Sequence, residues 1–495
     1  MIYSLRPYQA AGLRAIRSAL DGGARSVLYV LPTGGGKTVM FSTMADAMSS
    51  RGERVLILVH RREIHEQTLS SLFRLGVTAG QIVAGQPTTQ NAVQVGMVQT
   101  VVRRLSTMRR PDLIVTDEAH HVLEDNTYGS ILKYWKDVPV VGFTATPERL
   151  DGRGLRESFE VMIQGPTIRE LVAGRFLAPP VLYRPPNELL PQYHVRRGDF
   201  DEGEQEHAMS GRKIVGDVIE HYRMHLDRLP VVVFCVSIRH SHLMAAQFKA
   251  HGYEARAVWG NMPKVEREAA IKGLADGSVQ VVTSCDVISE GVDVPVMAGA
   301  ILLRRTLSLG LYLQQAGRAL RLSPGKSQAI ILDHAANYQL HGHVLQDRIW
   351  TLDACSRRER GEEPPTVSTC PACFGVWPGR PRTCPACGFD FSEAQGSAER
   401  SADIKVIAGE LVQAGLPGEE VDDMAALYAD AMKMGPAERA QMLARRGVEM
   451  LGKAVRFSER PTDEAWRWRS GGERQATSWQ DVSGTTGKTG KGNAN

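Results

Sequence analysis

The sequence contains no apolar run long enough to cross a bilayer. Its strongest, Val55–Val59, Val138–Val141 and Pro230–Val236, are strand-length, well short of the roughly 20 residues a membrane helix needs. The first residues, Met1–Tyr8, have neither the charged start nor the apolar centre and small-residue cleavage site of a secretory signal, so no membrane role and a cytoplasmic location are expected. A strong charge imbalance is also missing. Lysine and arginine number 59 against 55 acidic residues, a net charge of +4, so any attraction for a polyanion must come from local basic patches. Cysteine is scarce, at seven residues in 495, and no cluster resembling a nuclease metal centre stands out. Cys235, Cys285 and Cys355 are isolated; the first two, in apolar β-rich contexts, read as buried structural thiols.

What the chain does have is apolar material, 43% of its residues, in a length that calls for two to four domains. Ser26–Leu31, Val55–Val59, Ala92–Gly96, Leu113–Thr116 and Val138–Gly142 are strand candidates, apolar enough to be covered on both faces and separated by helix-like stretches. That alternation predicts a doubly wound parallel sheet. It restarts with Val231–Val236, Ala255–Val258, Val279–Thr283, Gly299–Leu303 and Ala329–Leu332, around helical segments such as His240–Ala250 and Lys264–Ala275. Between the two, Ala178–Asp201 carries five prolines and few periodic apolar positions, which predicts an extended crossing. The resulting division is a first domain over 1–178, a crossing over 179–201 and a second domain over 202–345. A linker with a cysteine cluster follows over 346–397. Helical spacing then occupies 398–457, broken at Leu416-Pro417-Gly418 and Met434-Gly435-Pro436, and 458–495 reads as a mostly disordered tail.

Three segments carry the chemistry. Pro32-Thr-Gly-Gly-Gly-Lys-Thr38 follows a strand and opens a helix, so Gly34, Gly35 and Gly36 can turn amide hydrogens toward phosphates while the helix offers its positive end. Lys37 is expected on the phosphates and the Thr38 hydroxyl on magnesium. Asp117-Glu-Ala-His120 follows another strand; Asp117 would hold the same ion through water, and Glu118 would orient and deprotonate the attacking water. His120 reads either as a link to Thr144-Ala145-Thr146 or as a packed side chain. Far downstream, Gln314–Arg321 brings Arg318 and Arg321 on adjacent helical turns, permanent positive charge suited to a phosphoryl transition state. Together they describe a nucleoside-triphosphate motor whose site is completed by a second domain.

In this order the segments resemble the superfamily 2 DEAD/DEAH-box helicases and translocases, over about residues 5–332. Leu5-Arg-Pro-Tyr-Gln9 looks like their adenine-reading motif, Val59–Glu63 and Met97–Thr100 like nucleic-acid-tracking blocks, Thr144–Pro147 like the coupling motif, and Phe234–Arg239 and Thr283–Asp293 like second-domain blocks. Leu31, where a small residue usually opens the phosphate loop, fits helicase-like motors. The resemblance implies two tandem RecA-like α/β motor domains, ATP read by Gln9 and Arg6, and Gly291 and Asp293 at the inter-domain nucleotide site. It further implies phosphate-backbone grip by Arg61, Arg62, Gln99, Thr100, Ser237 and Thr283; Arg61 and Arg62 have an alternative in pairing with Glu63 or Glu66. Within the superfamily the likeness is strongest to RadD-type DNA-repair helicases and their phage relatives. It implies DNA, single-stranded or branched, as partner, and leaves the region after Phe391 unmatched and available for a protein partner.

Cys370-Pro-Ala-Cys373 and Cys384-Pro-Ala-Cys387 are two identical knuckles ten residues apart, a spacing that closes a four-thiolate zinc ribbon. With four protein ligands the zinc would be structural, folding a segment too small for its own core. Phe374, Trp377, Arg380 and Arg382 lie between the knuckles, placed either to stack on bases or to pack the ribbon onto the motor domain.

Overall fold

The computed structural model describes residues 5–149, 151–185, 190–196, 198–285, 297–354 and 366–391. The expected helices of 398–457, the tail, Cys355, Gly291 and Asp293 lie outside them.

The first lobe runs α1 (Pro7–Asp21), β1 (Ser26–Val30), α2 (Lys37–Ser49), β2 (Val55–Val59), α3 (Arg62–Arg74), β3 (Ala79–Ile82), β4 (Val93–Met97) and α4 (Val98–Val101). It continues through β5 (Leu113–Thr116), α5 (Thr127–Tyr134), β6 (Val140–Thr144) and β7 (Val161–Gln164). All seven strands are parallel, in the order β3-β4-β2-β5-β6-β1-β7. Every residue of β2, β5 and β6 is buried, because helices cover both faces and leave no room for polar alternation.

The second lobe runs α6 (Ile168–Ala173), β8 (Pro180–Tyr183), β9 (Val195–Arg196), β10 (Asp199–Phe200), α7 (Glu202–Met209), α8 (Arg212–Leu226), β11 (Val231–Phe234) and α9 (Ile238–Ala250). Next come β12 (Ala255–Val258), α10 (Lys264–Asp276), β13 (Val281–Ser284), β14 (Gly299–Leu302), α11 (Leu309–Ala319), β15 (Ala329–Asp333) and α12 (Asn337–His341), then β16 (Val367–Thr369) and β17 (Gly375–Pro378). The sheet order is β12-β13-β11-β14-β15-β8-β17-β16, parallel up to β8 and antiparallel from there.

Two expectations differ from the structure. Leu171, Leu177 and Ala178, assigned to the first domain, are buried in the core of the second lobe. The supposed crossing contains a strand: β8 pairs with β15, and Pro180 heads it, the position where a missing N–H is tolerated. The cysteine segment joins the second lobe: β17 pairs with β8 and Val376 is fully buried in the second core.

Between α12 and β16 the chain returns to the first lobe. Leu352 is buried beside Leu155 and Phe159, and its carbonyl accepts from the amides of Leu155 (2.7 Å) and Arg156 (3.0 Å). Asp353 receives both arms of Arg156 at 3.0 and 3.1 Å, and a Cβ on Gly154 would come within 2.5 Å of the Leu352 carbonyl, so only glycine permits this approach. Arg169, at the start of α6, bonds the Leu345 carbonyl at 3.0 Å and Asp347 at 3.2 Å. The outgoing and returning segments therefore touch. No helix among the described residues is long and apolar enough to cross a membrane.

Candidate active site

The phosphate loop leaves the C-terminal end of β1 at the point where the sheet order switches direction, which is where open α/β sheets place their ligands. Gly34 and Gly36 have φ of +84° and +87°, a region that Cβ-bearing residues resist. There is no space for a side chain: a Cβ on Gly34 would lie 2.9 Å from Leu177, on Gly35 2.7 Å from Leu31, and on Gly36 2.4 Å from the Gln9 amide. Pro32 and Thr33 lead into the turn. Lys37 and Thr38 begin α2, with the Lys37 ammonium donating to the Leu31 carbonyl at 3.2 Å. Burial holds the Lys37 pKa below the ordinary lysine value, opposed by Glu118 and Asp117 and assisted by Arg318 and Arg321. Those five charges converge on one place.

β5 delivers Asp117 and Glu118 beside that loop, both buried. Glu118 is left-handed at φ 48°, a conformation costing on the order of 1 kcal/mol for a side-chain-bearing residue, and its amide donates to Asp117 Oδ1 at 2.9 Å. His120 Nδ1 lies 3.0 Å from Thr144 Oγ1 and 3.5 Å from Glu118 Oε2. The Thr144 hydroxyl donates its single proton to the Thr146 carbonyl at 2.8 Å, so His120 Nδ1 must carry the hydrogen it shares with Thr144. His120 thus ties the carboxylate to the Thr144–Thr146 segment. His121 is in ring contact with His120 at 4.1 Å and with His60 at 4.5 Å, one residue before Arg61.

One face of α11 closes the site from the other lobe. Gly310, Gln314 and Gly317 are spaced at helical repeats of four and three, so they project together. A Cβ on Gly310 would come within 2.9 Å of Thr146 Oγ1 and one on Gly317 within 2.9 Å of Thr33 Cβ, while Gln314 Nε2 donates to Glu118 Oε2 at 3.4 Å. The two glycines let the helix lie directly on the loops of the first lobe. Arg318 lies in the last turn, whereas Arg321, expected on the next turn, follows the helix end because α11 stops at Ala319; its Cγ lies 3.4 Å from a Cβ built on Gly34. Burial pushes the Arg321 pKa down to about 10, which leaves it charged at neutral pH.

Gln9 and Arg6 are placed differently from the adenine-reading expectation. Gln9 is 3% exposed; its carbonyl accepts from the Arg6 amide at 2.9 Å and its amide donates to the Gly35 carbonyl at 3.2 Å, where Tyr8 also donates at 2.7 Å. Arg6 lies over the Phe176 ring at 5.1 Å. In this arrangement Gln9 braces the phosphate loop directly, and Arg6 reaches it only through Gln9 and Tyr8. Neither Tyr8 nor Phe176 was assigned a role from sequence, and Gly310 was missed because its spacing from Gly317 becomes visible only once the helix faces Thr146.

Arg61, Arg62, Gln99, Thr100 and Ser237 stand at the C-terminal ends of β2, β4 and β11, on the same edge as the phosphate loop. Arg62 and Gln99 are exposed. Ser237 caps α9 and donates to Glu206 Oε2 at 2.5 Å, with Arg239 3.5 Å from the same carboxylate group. Thr283 does not reach this surface: it is 0% exposed and donates to the Ser241 carbonyl at 2.8 Å, because β13 is a central strand. Glu63 and Glu66 bond across the cleft, to Arg267 at 2.9 Å and Lys264 at 2.7 Å on α10.

The four cysteines form a separate centre. Cys370 and Cys387 sulfurs are 3.6 Å apart, as are Cys373 and Cys384, and all four lie within 4.8 Å of one another. A tetrahedral site with metal–sulfur bonds of about 2.3 Å requires sulfur separations of about 3.8 Å, so the donor set fits zinc. Phe374 takes φ 58° where the second knuckle has Gly388 at φ 76°, and the Phe374 ring sits under Arg184 at 5.4 Å.

Two parallel-sheet lobes, a glycine phosphate loop with a paired carboxylate turn on one, and arginines presented by a helix of the other define a two-lobed nucleoside-triphosphate motor. The family description Type III restriction enzyme, res subunit, matches residues 2–149, and Helicase conserved C-terminal domain matches residues 215–323. A 51.5 kDa protein of a Lactococcus phage (isolate 7-9) is 33% identical, the alignment covering 77% of this chain and 82% of that protein. The Irc3 protein of Saccharomyces cerevisiae, an ATP-dependent helicase by name, is 29% identical over 66% of this chain and 51% of its own, so the chain spans about half of that relative. The Type I restriction enzyme EcoKI endonuclease subunit of Escherichia coli is 24% identical over 65% of this chain and 33% of its own. Among solved structures, the Type ISP restriction-modification enzyme LlaBIII bound to DNA aligns with a TM-score of 0.49 and 16% identity, covering 67% of this chain and 28% of that one. The chain belongs to the superfamily 2 helicases and is an ATP-hydrolysing enzyme.

Proposed function

We propose that this chain is a DNA helicase or translocase that couples ATP hydrolysis to movement along single-stranded or branched DNA, in repair, recombination or replication. The observation that carries it is the α11 face, which puts Gln314 on Glu118 and Arg321 against the phosphate loop, so hydrolysis and lobe closure involve the same contacts. Lys37 and the loop amides hold the phosphates of ATP. Asp117 and Thr38 hold magnesium, which supplies charge neutralisation at the phosphate oxygens when bound. Glu118 orients and deprotonates the attacking water, and Arg318 and Arg321 stabilise the charge on the transferred phosphoryl group.

Coupling to the track runs through His120, His121 and His60 to Arg61 and Arg62, which with Gln99, Thr100 and Ser237 grip the backbone and give a steep salt dependence. DNA is favoured by the restriction-enzyme family match and the EcoKI relative, together with the likeness to RadD-type helicases. Gly291 and Asp293 are assigned to the nucleotide cleft on that likeness alone. The cysteine centre holds structural zinc; metal analysis should find one zinc per chain, lost in C370S.

ATP turnover measured with single-stranded DNA, duplex, fork and RNA tests the whole reading. Stimulation by DNA that K37A removes supports it; stimulation by RNA alone sinks the choice of track. The restriction-subunit relatives favour a second reading, a duplex-tracking motor that separates no strands. Strand displacement on forked substrates distinguishes the two.

A further inference from the structure

The last turn of a helix leaves its carbonyls without intrahelical partners. In α11 that deficit falls beside the arginines, because Arg321 lies two residues past the helix end at Ala319. Three carbonyls at and just past the helix end are filled from elsewhere in the chain. The Leu320 carbonyl accepts from the Ala178 amide at 2.8 Å. The Ala319 and Arg321 carbonyls both accept from the ammonium of Lys326, the second at 3.0 Å. The third donor of that ammonium goes to the Met297 carbonyl at 2.5 Å, just before β14.

Local sequence explains how the ammonium gets there. Ser323-Pro324-Gly325-Lys326 closes with the Lys326 amide on the Ser323 carbonyl at 3.1 Å and Gly325 at φ 77°, the proline and glycine positions of a type II turn. The turn reverses the chain and carries the lysine back under the helix end, where its charge also meets the negative end of the helix dipole. A lysine has three donors and no acceptor, and here all three are used on backbone.

We infer that Lys326 is a positioning residue for ATP hydrolysis, acting through Arg321 by fixing its backbone against the phosphate loop. Lys326 touches none of the reacting groups. Arg321 abuts Gly34 through a side chain anchored at a carbonyl that Lys326 holds, so loss of the ammonium frees the segment to shift. Burial, with a smaller contribution from Arg321, pushes the lysine pKa down to about 7, while the three carbonyls it contacts favour the charged form. The inference rests on the proposed role of Arg321.

The test uses the full chain at saturating Mg-ATP, with and without single-stranded DNA, on K326M, R321A and the double variant. K326M should lose about 10- to 100-fold in kcat with KM for ATP within about threefold, the signature of a misplaced rather than missing group. Combined with R321A it should cost little more than R321A alone, since the two act in series. A K326M enzyme with wild-type kcat overturns the inference, and so does a double variant showing the product of the two single losses. If K326M does not fold, judged by near-ultraviolet circular dichroism, K326Q is read by the same criteria. Wild-type turnover in R321A itself would instead sink the arginine assignment.

Discussion

Glu118 is held by more than its neighbours in sequence. Its left-handed backbone, the His120 ring and Gln314 from the other lobe fix the carboxylate from three sides. E118Q should keep that geometry while removing the base, so nucleotide affinity should stay within about threefold and turnover fall by 10²-fold or more, checked by fluorescent-nucleotide titration and phosphate release. At this scale the sequence was readable where chemistry is local. Lys37, Asp117 and Glu118 follow strands whose register their neighbours dictate. It did not show how Thr283 and Gln9, whose side chains were expected at ligand surfaces, are held in the fold. One is sealed under Ser241 and the other is bonded to Gly35, and both outcomes depend on partners 42 and 26 residues away.

The elements that decide function are α11 and the α3–α10 pair. G317A is expected to move two properties in opposite directions. Alanine favours helix over glycine by about 1 kcal/mol, so the melting temperature should hold or rise, while the new methyl meets Thr33 and turnover should fall about tenfold. Unchanged turnover would remove the close approach from the mechanism. Across the cleft, Glu63 and Arg267 are only 24% and 14% exposed, so their pairing should be felt. E63K should slow turnover, R267E in the same chain should recover part of the loss, and the coupling should be on the order of 1 kcal/mol, weakening between low and high salt. The strands of both lobes were legible because a buried parallel strand is a bare apolar run. β8 was not, since its prolines signal a break and only the partners β15 and β17 make it a strand. β9 and β10, two residues each, offered too short a pattern to read.

For the molecule as a whole, acid is the informative stress. Burial pushes His221, His240 and His343 down to about 4 and His334 well below its ordinary value, all four in or beside the second lobe's sheet. Each is neutral when folded and titrates near 6.5 when unfolded, so the unfolded state binds more protons below that pH. The histidine contribution to stability is therefore full above about 6.5 and drains as pH falls toward 4, on the order of 2 kcal/mol per histidine by pH 4.5, opposed by the buried Asp333, whose pKa is raised to about 7. Thermal midpoints at pH 7.5, 5.5 and 4.5 should fall in that order, with a shallower decline in H221Q; a flat series would contradict it. None of this was visible beforehand, because a histidine's burial is a property of the assembled sheet.

The doubled-back segment at 345–354 gives the two lobes a joint of two plies rather than one. A single strand of chain between bodies is free in torsion as well as bending. Two strands lying together, cross-linked by Arg169 and pinned to the first lobe by Arg156, resist twisting while still allowing a bend. Such a joint should favour bending over torsion, so opening of the cleft at the phosphate loop is expected to follow one arc, to be checked by interlobe distance measurements with and without nucleotide.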